Sequence, residues 1–259
     1  MPNVTRDTIR AYQHALTDLG FDPGPVDGWP GQQTYAAEAD YMATKGRAVA
    51  PLRFKGEARR LDDIDLPRIG TRIGVGEDHL HAVMDVEARG SGFDDEDRIA
   101  MLFEPHVFYR ELGPGPKRDR AVAQGLAYRR WGQRAYPRDS YPRLMSAMEI
   151  DEDAALRSAS WGLGQIMGFN AQMAGYPTAR AMVEDFADDE DRHLNAMVSF
   201  IIAAGLDDEL RRGDWAGFAR GYNGSGYAKH GYHTRLHRAF LKWQAIPDTP
   251  FDPTEEMAA

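Results

Sequence analysis

The chain has 259 residues, a formal net charge of −9 at pH 7 and no cysteine. The lack of cysteine excludes disulfides, thiolate metal sites and a cysteine nucleophile, and the negative charge argues against nucleic acid as a partner. No apolar stretch approaches the roughly 20 residues that a membrane helix needs, so we expect no stable insertion into a membrane.

The first ten residues, "MPNVTRDTIR", lack the apolar core of a signal peptide. We therefore expect synthesis in the cytoplasm without a signal peptide. Three histidines share a helical spacing, His230, His233 and His237. We interpret them as a polar helix face and predict no metal site.

Residues 8–46 are predicted to form a helical hairpin. A first helix is indicated by apolar residues at helical spacing, which are Ile9, Tyr12, Leu16 and Leu19. Gly20 is placed to end this helix, and "FDPGPVDGWPG" is rich in turn-forming residues. A second helix is expected from about Gln32 to Lys45.

The segment "AYQHALTDLGFDPGPVDGWPGQQT" resembles the peptidoglycan-binding domain at the ends of many cell-wall hydrolases. That family has a helix ending in Leu-Gly-aromatic, then Asp-Gly-aromatic-x-Gly-x-x-Thr, then a second helix. The resemblance implies that residues 1–46 are a wall-binding module. The alternative is a helical hairpin that binds no ligand, because the family's second Asp-Gly turn and third helix are not visible here.

The rest of the chain is predicted to be mostly α-helical with a small β element. Residues 47–74 lose periodicity and mix charge with Pro and Gly, which predicts a linker. Residues 75–246 follow as a helical domain, interrupted by a short strand at "IAMLF". Residues 247–259 are rich in Pro and acidic residues, and we expect a frayed tail.

Glu87 lies at helical spacing from three apolar residues, Leu80, Val83 and Met84. It therefore faces the interior, in the last turn of the helix. Burial and the negative end of the helix dipole both disfavour its charged form. A carboxyl group held protonated in this way suits a general acid. The alternative is a carboxylate that is ion-paired with Arg89.

Glu104 follows three apolar residues and precedes Pro105, which suits the start of a helix. An acid at a strand-to-helix junction either caps the helix or serves as the second carboxylate of a glycosidase pair. Because Glu104 lies on a separate element from Glu87, we expect a wide carboxyl separation, about 6.5–9.5 Å, and an inverting reaction.

Two glycine-rich segments carry isolated polar residues. "SASWGLGQIMGFN" holds Gln165 among apolar residues and glycines, and "FARGYNGSGY" holds Tyr222 and Asn223. Glycines allow close approach of the backbone to a ligand. A lone glutamine in apolar surroundings needs hydrogen bonds, either from the protein or from a bound polar group.

The order of these segments resembles the lysozyme superfamily, including goose-type lysozymes and lytic transglycosylases. It is most similar to the N-acetylmuramidase domain of phage endolysins. The residues that carry this likeness are "VEARGSGF", "LFEPHVFYR", "SWGLGQIMGFN" and "GYNGSGY". The resemblance covers the predicted domain at 75–246 and implies a lysozyme-like helical fold. Ala88 departs from the Ser that commonly follows the catalytic Glu.

The resemblance also implies a function and its residues. Glu87 would be the catalytic acid and Glu104 the second acid, while Gln165, Tyr222 and Asn223 would line the glycan cleft. The partner would be the glycan strands of peptidoglycan, with no metal or cofactor, and we expect a monomer that acts on the wall after release. The alternatives are a lytic transglycosylase that uses the same Glu87 and a non-catalytic wall-binding protein.

Overall fold

A computed structural model describes residues 6–29, 31–44, 52–87 and 91–251. The fold is mostly α-helical with a small three-stranded antiparallel sheet, as the sequence predicts. The chain forms two compact units, Met1–Pro51 and Leu52–Ala259. The sequence expectations that concern Lys45, residues 88–90 and the tail beyond Phe251 lie outside the described residues.

The N-terminal unit contains helices α1 (Arg6–Asp18) and α2 (Gln32–Thr44), which confirms the predicted hairpin. Leu16 is buried. Tyr12 and Leu19, which share the predicted apolar face of α1, are exposed. A unit this small has little interior, so part of an amphipathic stripe stays in water.

A buried glutamine holds the turn between the two helices. Gln13 is fully buried, and its Nε2 donates to the carbonyl oxygens of Pro25 and Trp29, each at 3.0 Å. Its Oε1 accepts from the Gly28 N–H at 2.9 Å. These bonds satisfy backbone groups that no helix or strand could pair. The Asp-Gly turn is therefore fixed by a residue on α1.

The larger unit holds the remaining helices. The sequence predicts a linker at residues 47–74, but residues 52–74 belong to this unit. The first helix, α3, buries Leu66 and Ile69. The α-helices are α3 (Asp65–Gly70), α4 (Glu77–Glu87), α5 (Pro105–Glu111), α6 (Pro116–Ala123), α7 (Tyr141–Met148), α8 (Glu152–Arg157), α9 (Ala179–Phe186), α10 (Glu190–Ala203), α11 (Asp207–Arg212), α12 (Trp215–Asn223) and α13 (Tyr232–Trp243). Short 3₁₀ helices span Thr71–Ile73 and Gly168–Asn170.

The sheet has the order β1-β2-β3, with β1 (Met101–Phe103), β2 (Ala159–Trp161) and β3 (Ile166–Met167). Strand β1 confirms the strand predicted at "IAMLF". Strands β2 and β3 form a hairpin within the glycine-rich segment, which the sequence analysis did not assign to strands. Leu102 pairs with Ser160, and Ser160 pairs with Met167.

Two apolar cores meet at this hairpin. The sheet-side core includes Phe103, Phe108, Leu144, Trp161 and Phe186. The helix-side core includes Leu80, Val83, Met197, Phe218 and Leu236. Trp161 of the hairpin belongs to the first core and Leu163 of its turn to the second. The hairpin and its turn therefore lie at the boundary between the cores. In the described part of the chain, no helix is both long and apolar enough to cross a bilayer.

Candidate active site

Glu87 is the last residue of α4, as predicted. Leu80, Val83 and Met84 of the same helix are all buried, so the apolar face found in the sequence packs into the helix-side core. Helix α4 packs against α13. Glu87 keeps partial contact with solvent, while its carboxyl group is largely enclosed by protein.

The surroundings of Glu87 favour its protonated form. Desolvation raises the pKa of Glu87 to about 7, although a hydrogen bond from Asn223 and the positive charge of Arg235 act in the opposite direction. Asn223 Nδ2 donates to Glu87 Oε1 at 2.9 Å. Near neutral pH, Glu87 is therefore able to donate a proton. Arg235 does not stand out in the sequence, because its effect on Glu87 depends on the packing of α13 against α4.

Tyr222 and Asn223 form the end of α12, beside Glu87. The Tyr222 hydroxyl donates to the carbonyl oxygen of Gly164 at 2.8 Å. Burial raises the pKa of Tyr222 well above its usual value, and the nearby charge of Glu87 adds to this shift. The structure therefore brings Tyr222 and Asn223 together with Glu87, and joins α12 to the turn of the hairpin.

Gly164 and Gly162 allow this hairpin turn to pack closely on protein groups. A Cβ at Gly164 would lie 3.0 Å from both the Tyr222 hydroxyl and Met197 Cγ. Gly162 has a φ of +66°, and a Cβ there would lie 2.7 Å from His193 Nδ1. The glycines are thus required by contacts within the protein, whereas the sequence analysis associated them with a bound ligand.

Gln165 follows Gly164 in the turn and has a φ of +45°, which non-glycine residues rarely adopt. Its Oε1 accepts from the Ser160 hydroxyl at 2.8 Å. Its Nε2 donates to the carbonyl oxygens of Gly162 at 2.9 Å and Ala100 at 3.3 Å. These bonds tie the turn to β2 and to the residue before β1. They support a positioning role, while contact of Gln165 with glycan stays a prediction.

We expect Gln165→Ala to lower the free energy of unfolding by about 1–3 kcal/mol, because the Ser160 hydroxyl loses its acceptor and the carbonyl oxygens of Gly162 and Ala100 each lose one of their two donors. Chemical denaturation measures this loss, and Gln172→Ala, at an exposed site, is the matched control. Unchanged stability of the Gln165 variant combined with a large rise in KM would show that the glycan, and not the protein, is the main partner of this side chain.

Glu104 lies at the junction of β1 and α5, as predicted. It occupies the N-cap position of α5, but its side chain makes no capping hydrogen bond. Its Oε2 instead accepts a hydrogen bond from the Tyr136 hydroxyl and lies 3.1 Å from His106 Nδ1. The carboxylate is thus held by the Tyr136 hydroxyl, with the His106 ring beside it, and it does not cap α5. Tyr136 is 32 residues away in sequence, and no local pattern indicates this pairing.

The loops beside the two candidate acids contact each other. Residues 224–231 follow Asn223, the partner of Glu87, and residues 124–140 carry Tyr136, the partner of Glu104. The rings of Trp131 and His230 meet with centroids 5.7 Å apart, at an angle of 67°. Contacts through these two loops therefore connect the surroundings of Glu87 with those of Glu104.

Glu190 supports the chain beyond Glu87 and was not singled out from the sequence. It is buried in the first turn of α10, and its Oε1 accepts from the Gly92 N–H at 2.7 Å and from Arg60 at 3.1 Å. Its Oε2 accepts from the Leu61 N–H at 3.1 Å. This carboxylate joins the segment before α3 to the segment after α4. Among the described residues, no group of three or more His, Asp or Glu is arranged to hold a metal ion.

Comparisons with known proteins identify the family of the chain. The N-acetylmuramidase family matches residues 77–244, which include both candidate acids and the hairpin turn. The crystal structure of the Burkholderia AP3 phage endolysin is similar, with a TM-score of 0.64 and 31% identity, over 92% of this chain and 96% of that chain. No curated protein sequence matches the chain. The chain therefore belongs to the N-acetylmuramidase family and is homologous to a phage endolysin.

Proposed function

We propose that the protein is an endolysin that hydrolyses the β-1,4 bond between N-acetylmuramic acid and N-acetylglucosamine in peptidoglycan. The observation that carries this proposal is the environment of Glu87 in the family-matched segment, where desolvation raises its pKa to about 7. A carboxyl group that is protonated near neutral pH is the general acid that glycoside hydrolysis requires.

In the first step, the Glu87 carboxyl group transfers its proton to the glycosidic oxygen as the bond to the anomeric carbon breaks. The leaving sugar departs as an alcohol, and an oxocarbenium-like centre forms on the muramic sugar. Glu87 becomes a carboxylate, which Asn223 and Arg235 stabilise through a hydrogen bond and a positive charge.

In the second step, water attacks the anomeric carbon. We propose that the Glu104 carboxylate, which the Tyr136 hydroxyl holds in place, accepts one proton of this water. The water oxygen becomes the new anomeric hydroxyl. Glu104 then releases its proton to solvent and Glu87 regains one, which restores the enzyme for the next turnover.

We propose that Asn223 also binds substrate. Its Oδ1 is buried and has no hydrogen-bond partner among the residues that the structure describes. A buried acceptor without a partner is costly unless a ligand donates to it. The amide N–H of an N-acetylated sugar is such a donor, so we assign Asn223 a role in binding the acetamido group as well as in contacting Glu87.

The enzyme is tested by incubation with purified peptidoglycan. The proposal predicts falling turbidity and the appearance of new reducing ends. Binding to the wall with neither a fall in turbidity nor new reducing ends would identify a non-catalytic wall-binding protein, whereas falling turbidity without new reducing ends would identify a lytic transglycosylase. We further propose that the protein acts on the cell wall after release from the cell that produces it, as the phage endolysin homologue suggests.

We propose that the N-terminal unit docks the enzyme on the wall. Trp29 is exposed and stands beside a pocket of about 430 Å³ that Pro23, Asp27 and Thr34 also line. The Arg6 guanidinium lies 3.9 Å from the centre of the Trp29 ring. Exposed aromatic groups with an adjacent polar pocket are suited to binding sugars and peptides.

A chain truncated to residues 52–259 is expected to cleave soluble glycan fragments like the full-length protein but to bind insoluble sacculi less tightly. It begins at Leu52 because α3 is part of the core of the larger unit. Trp29→Ala should reproduce the binding loss, whereas Tyr35→Ala, at an exposed aromatic outside the pocket, should not. Equal sedimentation of all four proteins with sacculi would refute a docking role.

A further inference from the structure

A basic region lies within this acidic protein, away from Glu87. Residues 117–143 contain eight Lys or Arg and only two Asp, although the whole chain has a net charge of −9. Arg118, Arg129 and Arg134 line one pocket of about 520 Å³. Within the described part of the chain, none of these three arginines has a carboxylate partner at ion-pair distance. Asp119 also lines the pocket, so three guanidinium groups stand against one carboxylate and the lining keeps a net positive charge.

Tyr109 holds two of these arginines in place. The Arg118 guanidinium lies 4.2 Å from the centre of the Tyr109 ring, and Arg129 Nε donates to the Tyr109 hydroxyl at 3.1 Å. The stacked Arg118 and the hydrogen-bonded Arg129 are thus oriented before any ligand arrives. An oriented guanidinium loses less entropy when it binds a carboxylate.

Buried polar groups in the pocket also lack partners. Tyr128 lines the pocket and is only 6% exposed, yet its hydroxyl has no hydrogen-bond partner among the described residues. Arg118 Nε is likewise buried and unpaired. Leaving such groups unsatisfied costs free energy in the unliganded protein. A bound acceptor would satisfy both groups.

The pocket adjoins the candidate active site on the side of Glu104. The Tyr128 N–H donates to the carbonyl oxygen of Pro105, the residue after Glu104, at 3.3 Å. Burial and the hydrogen bond to Glu104 raise the pKa of Tyr136, and the nearby Tyr128 phenol adds to this shift. The pocket therefore lies next to the part of the candidate site that contains Glu104.

We propose that this pocket binds a carboxylate of the peptide stem that the muramic sugar of peptidoglycan carries. Arg118, Arg129 and Arg134 would pair with the carboxylate, and the Tyr128 hydroxyl would donate to it. This inference rests on the proposed function. Binding of the peptide stem would give the enzyme a preference for glycan strands that still carry their peptides. Recognition of the sugars alone does not give this preference.

The test compares intact peptidoglycan with glycan strands from which an amidase has removed the peptides. The double variant Arg129→Gln with Arg134→Gln should raise the apparent KM on intact peptidoglycan by about 10-fold or more. Its activity on peptide-free strands should equal that of the wild type. The matched control is Arg120→Gln with Arg130→Gln, which removes two exposed charges outside the pocket and should change neither activity.

Equal losses on both substrates, or an equal effect of the control pair, would overturn the proposal in favour of general attraction by the basic region. An unchanged KM in the pocket variant would overturn it as well. Failure of the proposed function would look different, because the wild-type protein itself would then release no reducing ends from either substrate.

Tyr128→Phe separates binding from a structural role. The change removes only the unpaired hydroxyl, so the melting temperature should stay the same or rise. The apparent KM on intact peptidoglycan should rise, with kcat on peptide-free strands unchanged. A lower melting temperature with an unchanged KM would show that the hydroxyl serves the fold, and would remove Tyr128 from the site.

Discussion

The Glu87→Gln protein is expected to fold normally and to release reducing ends about 10²- to 10⁴-fold more slowly than the wild type, which is the usual contribution of a general acid. Glutamine preserves the size of the side chain and the acceptor for Asn223, but it has no proton to give to the glycosidic oxygen. The rate is measured on purified peptidoglycan, with Glu149→Gln, at an exposed site, as the control.

The same residue predicts how activity depends on pH. A general acid must be protonated before it reacts, and the pKa of Glu87 is about 7. The value of kcat/KM should therefore fall as the pH rises through about 7. Wild-type activity in a folded Glu87→Gln protein would show that Glu87 is not the general acid. A wild-type kcat/KM that rises steadily from pH 6 to pH 9 would show the same.

Glu87 should also make the folded protein less stable at high pH. Its pKa is raised in the folded state, from 4.5 to about 7, so the folded state binds the proton more tightly than the unfolded state. Stability is therefore lost as the pH rises from about 4.5 to about 7, by an amount on the order of 3 kcal/mol. Glu87→Gln should be more stable than the wild type above pH 7, and this advantage should vanish below pH 4.5.

Glu104→Gln is expected to lower kcat by about 10² or more while the fold is kept, if Glu104 is the base that activates water. Its side chain makes no capping bond to α5, so the loss of about 1 kcal/mol that follows removal of a helix cap should be absent. Tyr136→Phe removes the hydrogen bond to Glu104 and should give a smaller reduction in kcat, because the carboxylate remains.

The stereochemistry of the product tests the same assignment. Attack by a water held at Glu104 on the face opposite the leaving group inverts the anomeric carbon. NMR of the anomer that is released first should show the α form. The retained β form would instead require a covalent or shielded intermediate, and normal turnover by folded Glu104→Gln would leave Glu87 as the only acid that the reaction needs.

The sequence was most informative where periodicity determines the structure. The spacing of Leu80, Val83 and Met84 from Glu87 placed this acid on the buried face of a helix, and the structure confirms the helix and the burial of its apolar residues. The structure of residues 52–74 was harder to predict, because α3 has only six residues and its apolar periodicity does not stand out among the surrounding charged residues.

The roles of Gln165 and Glu104 depend on contacts that local sequence does not encode. Gln165 binds Ala100, 65 residues earlier, because β1 and β2 pair. Glu104 binds Tyr136, 32 residues later, through a loop without regular structure. For Gln165 the sequence showed that a polar group needed partners, and for Glu104 it left a cap and a catalytic role open, but only the folded chain identifies the groups that each side chain contacts.

The central claim is that the protein hydrolyses the β-1,4 bond between N-acetylmuramic acid and N-acetylglucosamine and leaves N-acetylmuramic acid at the new reducing end. Mass spectrometry of the borohydride-reduced fragments from purified peptidoglycan tests this claim most directly. The proposed reaction predicts fragments that end in N-acetylmuramic acid with a normal reducing end, converted to the alcohol by borohydride. Fragments that end in 1,6-anhydromuramic acid, one water lighter and resistant to reduction, would identify a lytic transglycosylase. Fragments with N-acetylglucosamine at the reducing end would contradict the assigned bond.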